Sequence, residues 1–266
     1  MTILDKIIDY KIKEVALRKA VMSIDELSNT AWYERTCISY VDSLESDSPG
    51  IIAEFKRRSP ARQNINLDAK IEDVSRAYVK AGASALSILT DEHFFGGSDD
   101  FLKSARELNP SVPILRKDFI IDEYQIHEAK SLGADIVLLI AEVLSKDDVK
   151  LLSGCARSLG LEVLLEMHTI DQVDKCCGEE SIIGVNNRDL KTFQVDFDRS
   201  KKLYDMLPAD MTKIAESGLS DPATLVMLHR YGFKGFLIGE QFMKQEDPGK
   251  ACEQMISQFN DLRHAD

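Results

Sequence analysis

From residue 51 onward the sequence repeats one pattern eight times: a short apolar run, then a stretch with helical spacing of apolar residues. The runs fall at 51–55, 85–89, 112–116, 135–141, 161–166, 182–186, 212–215 and 235–239. Segments such as DAKIEDVSRAYVKAG and DEYQIHEAKSLGAD lie between them. Gly82, Gly133, Gly160 and Gly232 each close a helical pattern just ahead of a strand, where glycine readily supplies the left-handed residue that stops a helix. Strands alternating with helices imply a parallel sheet. Eight units within 266 residues fit a (β/α)₈ barrel, which typically takes about 250. A doubly wound open sheet is the competitor. It usually reads its ligand at a Gly-rich turn after the first strand, and the chain contains no GxGxxG.

Ahead of the repeats, residues 2–20 space Ile3, Ile7, Ile8, Ile12, Val15 and Leu17 largely as an amphipathic helix. Residues 21–50 form a connection ending in the turn-forming SDSPG. The simplest partition is one domain over 1–266, with a helical extension at 1–48 and the barrel at 49–266. The longest apolar stretch, IVLLIA at 136–141, is far short of the roughly 20 residues of a membrane span. The N-terminus lacks the apolar core of a signal peptide. Five cysteines, an odd number that includes the adjacent Cys176 and Cys177, suit reduced thiols and a cytoplasmic protein.

The net charge of −12 argues against a nucleic-acid-binding surface, which needs clustered cations. An anionic small molecule would need a local cluster, and Lys56, Arg57 and Arg58 supply one candidate. In such a barrel the active site forms at the C-terminal ends of the strands. Polar and ionisable groups gather at that end of five strands: Glu54 and Lys56; Arg116, Lys117 and Asp118; Glu166; Asn186, Asn187 and Arg188; Glu216 and Ser217. The opposite ends are read as small or apolar. Side chains alternate along a strand, so Glu54 and Lys56 share the face of Ile52, and their charge argues that this face is the interior. The competing reading is a structural ion-pair layer that closes the barrel. Gly218 and Gly239 follow strands seven and eight, where such barrels frequently hold phosphate on backbone N–H groups. None of the five histidines forms a metal-binding pattern, so no metal is expected. His168 follows strand five but reads as a loop histidine without a role, and His127 and His229 read as surface residues.

The stretches IIAEFKRRSP, LSILTDEHFFGGS, PILRKDFIIDEYQIHEAKSLGAD, IIGVNNRDLKTF, AESGL and FLIGEQFM resemble indole-3-glycerol phosphate synthase in order and spacing, from about residue 2 to 260. RKDFIID and NNRDLKTF carry most of the specificity. The resemblance implies a carbon-carbon lyase of tryptophan biosynthesis. It converts 1-(2-carboxyphenylamino)-1-deoxyribulose 5-phosphate into indole-3-glycerol phosphate, CO₂ and water without cofactor or metal. It further implies Lys117 as general acid at the ketone and Glu166 as general base. Glu54 with Lys56 would serve the condensation and dehydration steps, and Asn186 and Glu216 would orient the substrate. Ser59 and Arg188, with Lys56 as a further candidate, would hold the anthranilate carboxylate. Phe119 and Leu190 would wall the aromatic ring. Ser217, Gly218, Gly239 and the amide of Glu240 would hold the phosphate. Lysines and glutamates in a desolvated mouth are expected to shift toward neutral pKa values.

One departure stands out. The family commonly continues SPS-K-G after the first strand, whereas this chain has Ser59-Pro60-Ala61-Arg62-Gln63-Asn64. A mobile, site-closing loop is expected there. The alternatives are another phosphate-binding barrel, such as phosphoribosylanthranilate isomerase, or a non-catalytic scaffold. The first would need a cysteine or aspartate acid-base pair at strand ends, and the second would show loss of Glu54, Lys117 or Glu166. A phosphorylated small molecule is the expected partner, with neither nucleic acid nor membrane. The protein is expected to be a monomer, with association with other enzymes of the tryptophan pathway left open.

Overall fold

The computed structural model of the chain describes residues 2–44, 48–189 and 194–264. Eight parallel strands close into a barrel in sequence order, β1 pairing with β8. They are β1 (Ile51–Phe55), β2 (Ala85–Leu89), β3 (Ile114–Lys117) and β4 (Ile136–Ile140), then β5 (Glu162–Met167), β6 (Ile182–Asn186), β7 (Thr212–Glu216) and β8 (Gly235–Ile238). Each falls within two residues of its apolar run. Helices α1 (Ile3–Val21) and α2 (Ile24–Ser28) precede the barrel. Between the strands come α3 (Ile71–Lys80), α4 (Glu92–Phe95), α5 (Asp99–Leu108), α6 (Glu123–Leu132) and α7 (Lys146–Ser158). A 3₁₀ turn over Ile170–Lys175, α8 (Phe197–Met206), α9 (Pro222–Tyr231), α10 (Glu240–Met243) and α11 (Pro248–His264) complete the order.

Alternation sorts the apolar residues into two cores. Ile51, Ala53 and Phe55 join the layer between barrel and helices, while Ile52 joins Ala85, Leu115, Leu138, Leu164, Ile214 and Leu237 inside the barrel. Glu54 therefore faces inward, as its charge implied. Above this apolar layer the inward positions become polar, and the cavity begins there.

The N-terminal extension packs against both ends of the barrel. At the N-terminal end Tyr40 is fully buried in the interior cluster and donates its hydroxyl to Gly50 O at 2.8 Å. Glu162, the first residue of β5, accepts from Ser39 Oγ at 2.5 Å and from Tyr40 N at 2.9 Å. Asp135 accepts from Ile38 N at 2.7 Å and pairs with Arg35 at 2.6 Å and with buried Arg106. The expectation that this end begins only with small or apolar residues fails at these two carboxylates. They are anchor points for the extension.

At the other end α1 lies beside the mouth. Thr2 and Asp5 form a reciprocal cap at its start. Lys11 on α1 is buried, with Glu14 at 2.8 Å, Asp118 at 2.9 Å and Asp91 at 3.0 Å. No contact of this ammonium is aligned as a hydrogen bond, so charge holds it. Burial alone would lower the Lys11 pKa; the Asp118 and Asp91 charges outweigh burial and raise it. Arg116 points out of the barrel to Glu128 at 2.6 Å, and Arg18 reaches Asp99 and Glu128. Arg116 and Asp118, grouped with Lys117 by sequence, thus serve docking of the extension.

Candidate active site

The polar inward layer forms the floor of a cavity of about 850 Å³ at the C-terminal mouth. Strand geometry alone brings its members together. Asn186 and Glu216 lie side by side on β6 and β7, and Glu166 on β5 is in register with Gly184. Lys117 ends β3 and extends its ammonium between two carboxylates, 3.0 Å from Glu166 Oε2 and 3.0 Å from Glu216 Oε2. Just past β1, Lys56 Nζ sits 2.6 Å from Glu54 Oε1, whose other oxygen accepts from Ser87 at 3.4 Å. Asn186 Nδ2 donates to Glu166 Oε1 at 3.0 Å.

The charges set distinct protonation states. Burial would push the Lys117 ammonium down, but Glu166, Glu216 and Glu54 together raise its pKa. The expectation of a lysine shifted toward neutrality is therefore wrong for Lys117. It is a firmly held cation, because three carboxylates outweigh its desolvation. Burial raises Glu166, but Lys117, His168 and Asn186 reverse that and hold its carboxyl well below the usual range. Glu216 goes the other way: burial and the neighbouring Glu166 charge push it up to about 7, against the opposing pull of Lys117. The cavity thus offers a cationic acid, an anionic base and a carboxyl that carries its proton to near neutrality.

The upper wall comes from loops. Ser217 is the single non-glycine residue with a left-handed backbone among the described residues (φ 68°), and Gly218 follows at φ 72°. Buried Asn187 holds this turn by donating from Nδ2 to Ser217 O at 2.9 Å, while its Oδ1 accepts from Ser200 at 2.5 Å. Beside it, at the end of the neighbouring β8, Gly239 starts the short α10 without any side-chain cap, leaving first-turn N–H groups such as that of Glu240 without intrahelical partners. Arg188 donates its backbone N–H to Asn186 Oδ1 at 3.0 Å, while its buried side-chain Nε has no hydrogen-bond partner among the described residues. Phe119 and Phe95 pack with ring centroids 5.7 Å apart on one side.

A sequence profile of the family described as "Indole-3-glycerol phosphate synthase" matches residues 4–255. The chain belongs to the indole-3-glycerol phosphate synthase family. A protein of that name from Bacteroides thetaiotaomicron is 47% identical over 254 residues, covering 96% of this chain and 97% of the relative. Another from Neisseria meningitidis is 41% identical over 250 residues, covering 92% and 95%. The solved 3-hexulose-6-phosphate synthase from Salmonella typhimurium superposes with a TM-score of 0.60 at 13% identity. It covers 79% of this chain and 99% of its own, a likeness of fold alone. Family membership favours the synthase reading over the isomerase and scaffold alternatives.

Every described residue that the synthase resemblance implied lines this one cavity, Ser59 included; Leu190 lies outside the described residues. Arg57 and Arg58 do not face it. Arg58 donates to Glu92 O at 2.9 Å and His93 O at 3.0 Å, and Arg57 stacks its guanidinium 4.6 Å over Phe101. They brace the loop after β2, so the basic triplet contributes only Lys56 to the site. In the divergent loop, Ser59 and Arg62 exchange backbone hydrogen bonds at 2.8 and 3.0 Å, and Arg62 pairs with Glu240 at 3.0 Å. This exposed pair, worth about 0–1 kcal/mol, links that loop to the one after β8.

Three contributors have no role assigned from the sequence. His168 is 4% exposed, with Nε2 3.1 Å from Glu166 Oε1, although neither ring nitrogen makes an aligned hydrogen bond. Its place two residues after Glu166, one residue past the end of β5, was the available signal. Ile3, Leu4 and Ile7 of α1 line the cavity and Asn187 pins the Ser217 turn, and both depend on contacts distant in sequence. His127 and His229 are half-buried rather than superficial, against Tyr33 and Phe259 respectively. A wider, more open groove of about 1070 Å³ along α3 and α11 has no comparable convergence of buried ionisable groups.

Proposed function

We propose that this cavity closes the indole ring of 1-(2-carboxyphenylamino)-1-deoxyribulose 5-phosphate, releasing CO₂ and water. The observation that carries the reading is Lys117 held as a cation between Glu166 and Glu216. The ring carbon bearing the carboxylate attacks the ketone, and Lys117 gives a proton to the ketone oxygen as that bond forms. The carboxylate then leaves as CO₂, and its bonding electrons restore the aromatic ring. Dehydration follows. Lys56, paired with Glu54, protonates the departing hydroxyl, and Glu166 accepts the proton from the adjacent carbon as the new double bond forms. Proton transfers of this kind each contribute about 10²–10⁴-fold.

The remaining residues bind and orient. Asn186 and Glu216 face the sugar hydroxyls. Arg188, with a free buried donor, and Ser59 take the anthranilate carboxylate. Phe119 stands against the ring. The Ser217–Gly218 turn, Gly239 and the amide of Glu240 take the phosphate through backbone N–H groups. No helix among the described residues is long and apolar enough to cross a membrane. Action as a cytoplasmic monomer completes the reading.

The test mixes purified protein with the carboxyphenylamino-deoxyribulose phosphate and follows indole fluorescence. A rising signal that depends on enzyme concentration is expected. Silence from folded protein at high concentration would overturn the assignment.

A further inference from the structure

Gly184 occupies an inward position of β6, in register with Glu166 on one side and Ile214 on the other. Its backbone does not call for glycine, because it is absent from the residues with positive φ. The surroundings do. A methyl group there would overlap Glu216 Oε1 and would meet Leu164 Cδ1 at 3.1 Å. The Glu216 carboxyl therefore lies in the recess that the missing side chain leaves. Its Oε1 is buried there with no hydrogen-bond partner among the described residues, while Oε2 meets Lys117 at 3.0 Å. A buried acceptor left unpaired costs about 1–3 kcal/mol, so packing alone does not explain why the recess is kept.

We propose that Gly184 is a positioning residue for the ring-closing reaction, its missing side chain holding the Glu216 carboxyl back in the barrel wall and in line with Lys117. The inference rests on the roles assigned above to Lys117 and Glu216. Filling the recess would swing the carboxyl into the cavity, into space the substrate needs and away from its fixed contact with the acid. The obstruction is the far end of a flexible side chain, so the barrel itself tolerates the added methyl. A matching recess sits at the barrel seam, where a methyl on Gly239 would overlap Glu54 Oε1. Two of the site's carboxylates thus lie against glycines, one on the neighbouring strand β6 and one just past the end of β8.

Three variants test this: Gly184→Ala, Glu216→Asp and the double variant. Gly184→Ala is expected to lower kcat about 10–100-fold, the cost of misplacing a group by roughly 1 Å, with thermal stability changed by only a few degrees. Aspartate is one methylene shorter and does not reach the recess. Adding Gly184→Ala to Glu216→Asp should therefore lower kcat by less than about threefold, a coupling that a purely structural role would not produce. Carbon-13 carboxyl titration of the free protein, with the Glu216 signal assigned from Glu216→Gln, reads the same event without turnover. The Glu216 pKa should fall from about 7 toward the usual glutamate range in Gly184→Ala as the group meets water. An unchanged titration, equal losses of kcat in both backgrounds, or unfolding of Gly184→Ala would each overturn the proposal. If the wild-type protein lacks the proposed activity, the role assignment fails while the titration still decides where Gly184 places Glu216.

Discussion

Carboxylates are buried at both ends of this barrel, and the two sets are treated oppositely. At the closed end Asp135 is surrounded by donors: Ile38 N at 2.7 Å, Ile114 N at 2.9 Å, Arg35 and Arg106. Half-buried Glu162 is likewise filled by Ser39 and Tyr40. At the open end Glu216 has one oxygen on Lys117 and the other unpartnered. Arg188 keeps a buried donor free and His168 keeps two ring nitrogens free of aligned hydrogen bonds. A saturated carboxylate is a fastener, whereas an under-saturated one has capacity left for a substrate. Burial does not separate the two cases; the supply of partners does.

Substitutions at the two ends should separate function from stability. The largest effect is expected at Lys117→Ala, with kcat falling about 10²–10⁴-fold and substrate affinity by less than tenfold. Steady-state kinetics with a binding titration check this, and near-normal turnover would remove Lys117 from the chemistry. Asp135→Ala should do the reverse. It strands buried Arg106 and should cost about 3–5 kcal/mol in denaturant unfolding, while the folded fraction keeps its turnover.

Glu216→Gln addresses the unsaturated carboxylate directly. The folded pKa of about 7 exceeds the ordinary 4.5, so between these values the folded state binds a proton that the unfolded state has lost. Stability should therefore decline as pH rises through that window, by about 1–3 kcal/mol. Glutamine removes the titration, so urea midpoints measured from pH 4.5 to 8 should show a flatter profile in the variant. An unchanged profile would mean that Glu216 ionises normally. The smallest effect is expected at His168→Ala. It removes one cation-capable neighbour of Glu166 but leaves Lys117 and Asn186, so kcat should fall about tenfold with little change in KM. A fully active variant would return His168 to the bland role that the sequence suggested.

Much of this comparison was legible before any coordinates. Glu54 and Lys56 were recognisable because charge inside an apolar strand is costly unless used. The inward direction of Glu54 followed from its parity with Ile52. Asp135 and Glu162 escaped the same reading. Arg35, Ile38, Ser39 and Tyr40, which supply much of that saturation, lie in the connection before β1, about 100 to 120 positions away in sequence, where no periodicity reveals them. Arg57 and Arg58 misled for the same reason, since a cation cluster in sequence need not point one way in space.

The sequence by itself determined the barrel, its eight strands, the end where the polar inward groups gather and the family, because periodicity, strand parity and local motifs are short-range properties of a chain. Tertiary structure alone decided which ionisable groups are spent on fastening and which stay available. It also decided that Lys117 is held charged and that Gly184 hollows the wall for Glu216. These are outcomes of closure: a hydrogen-bond partner or a recess exists only once β6 meets β7 and the extension folds back on the barrel. The pKa of a buried group is fixed by that arrangement rather than by its neighbours in sequence.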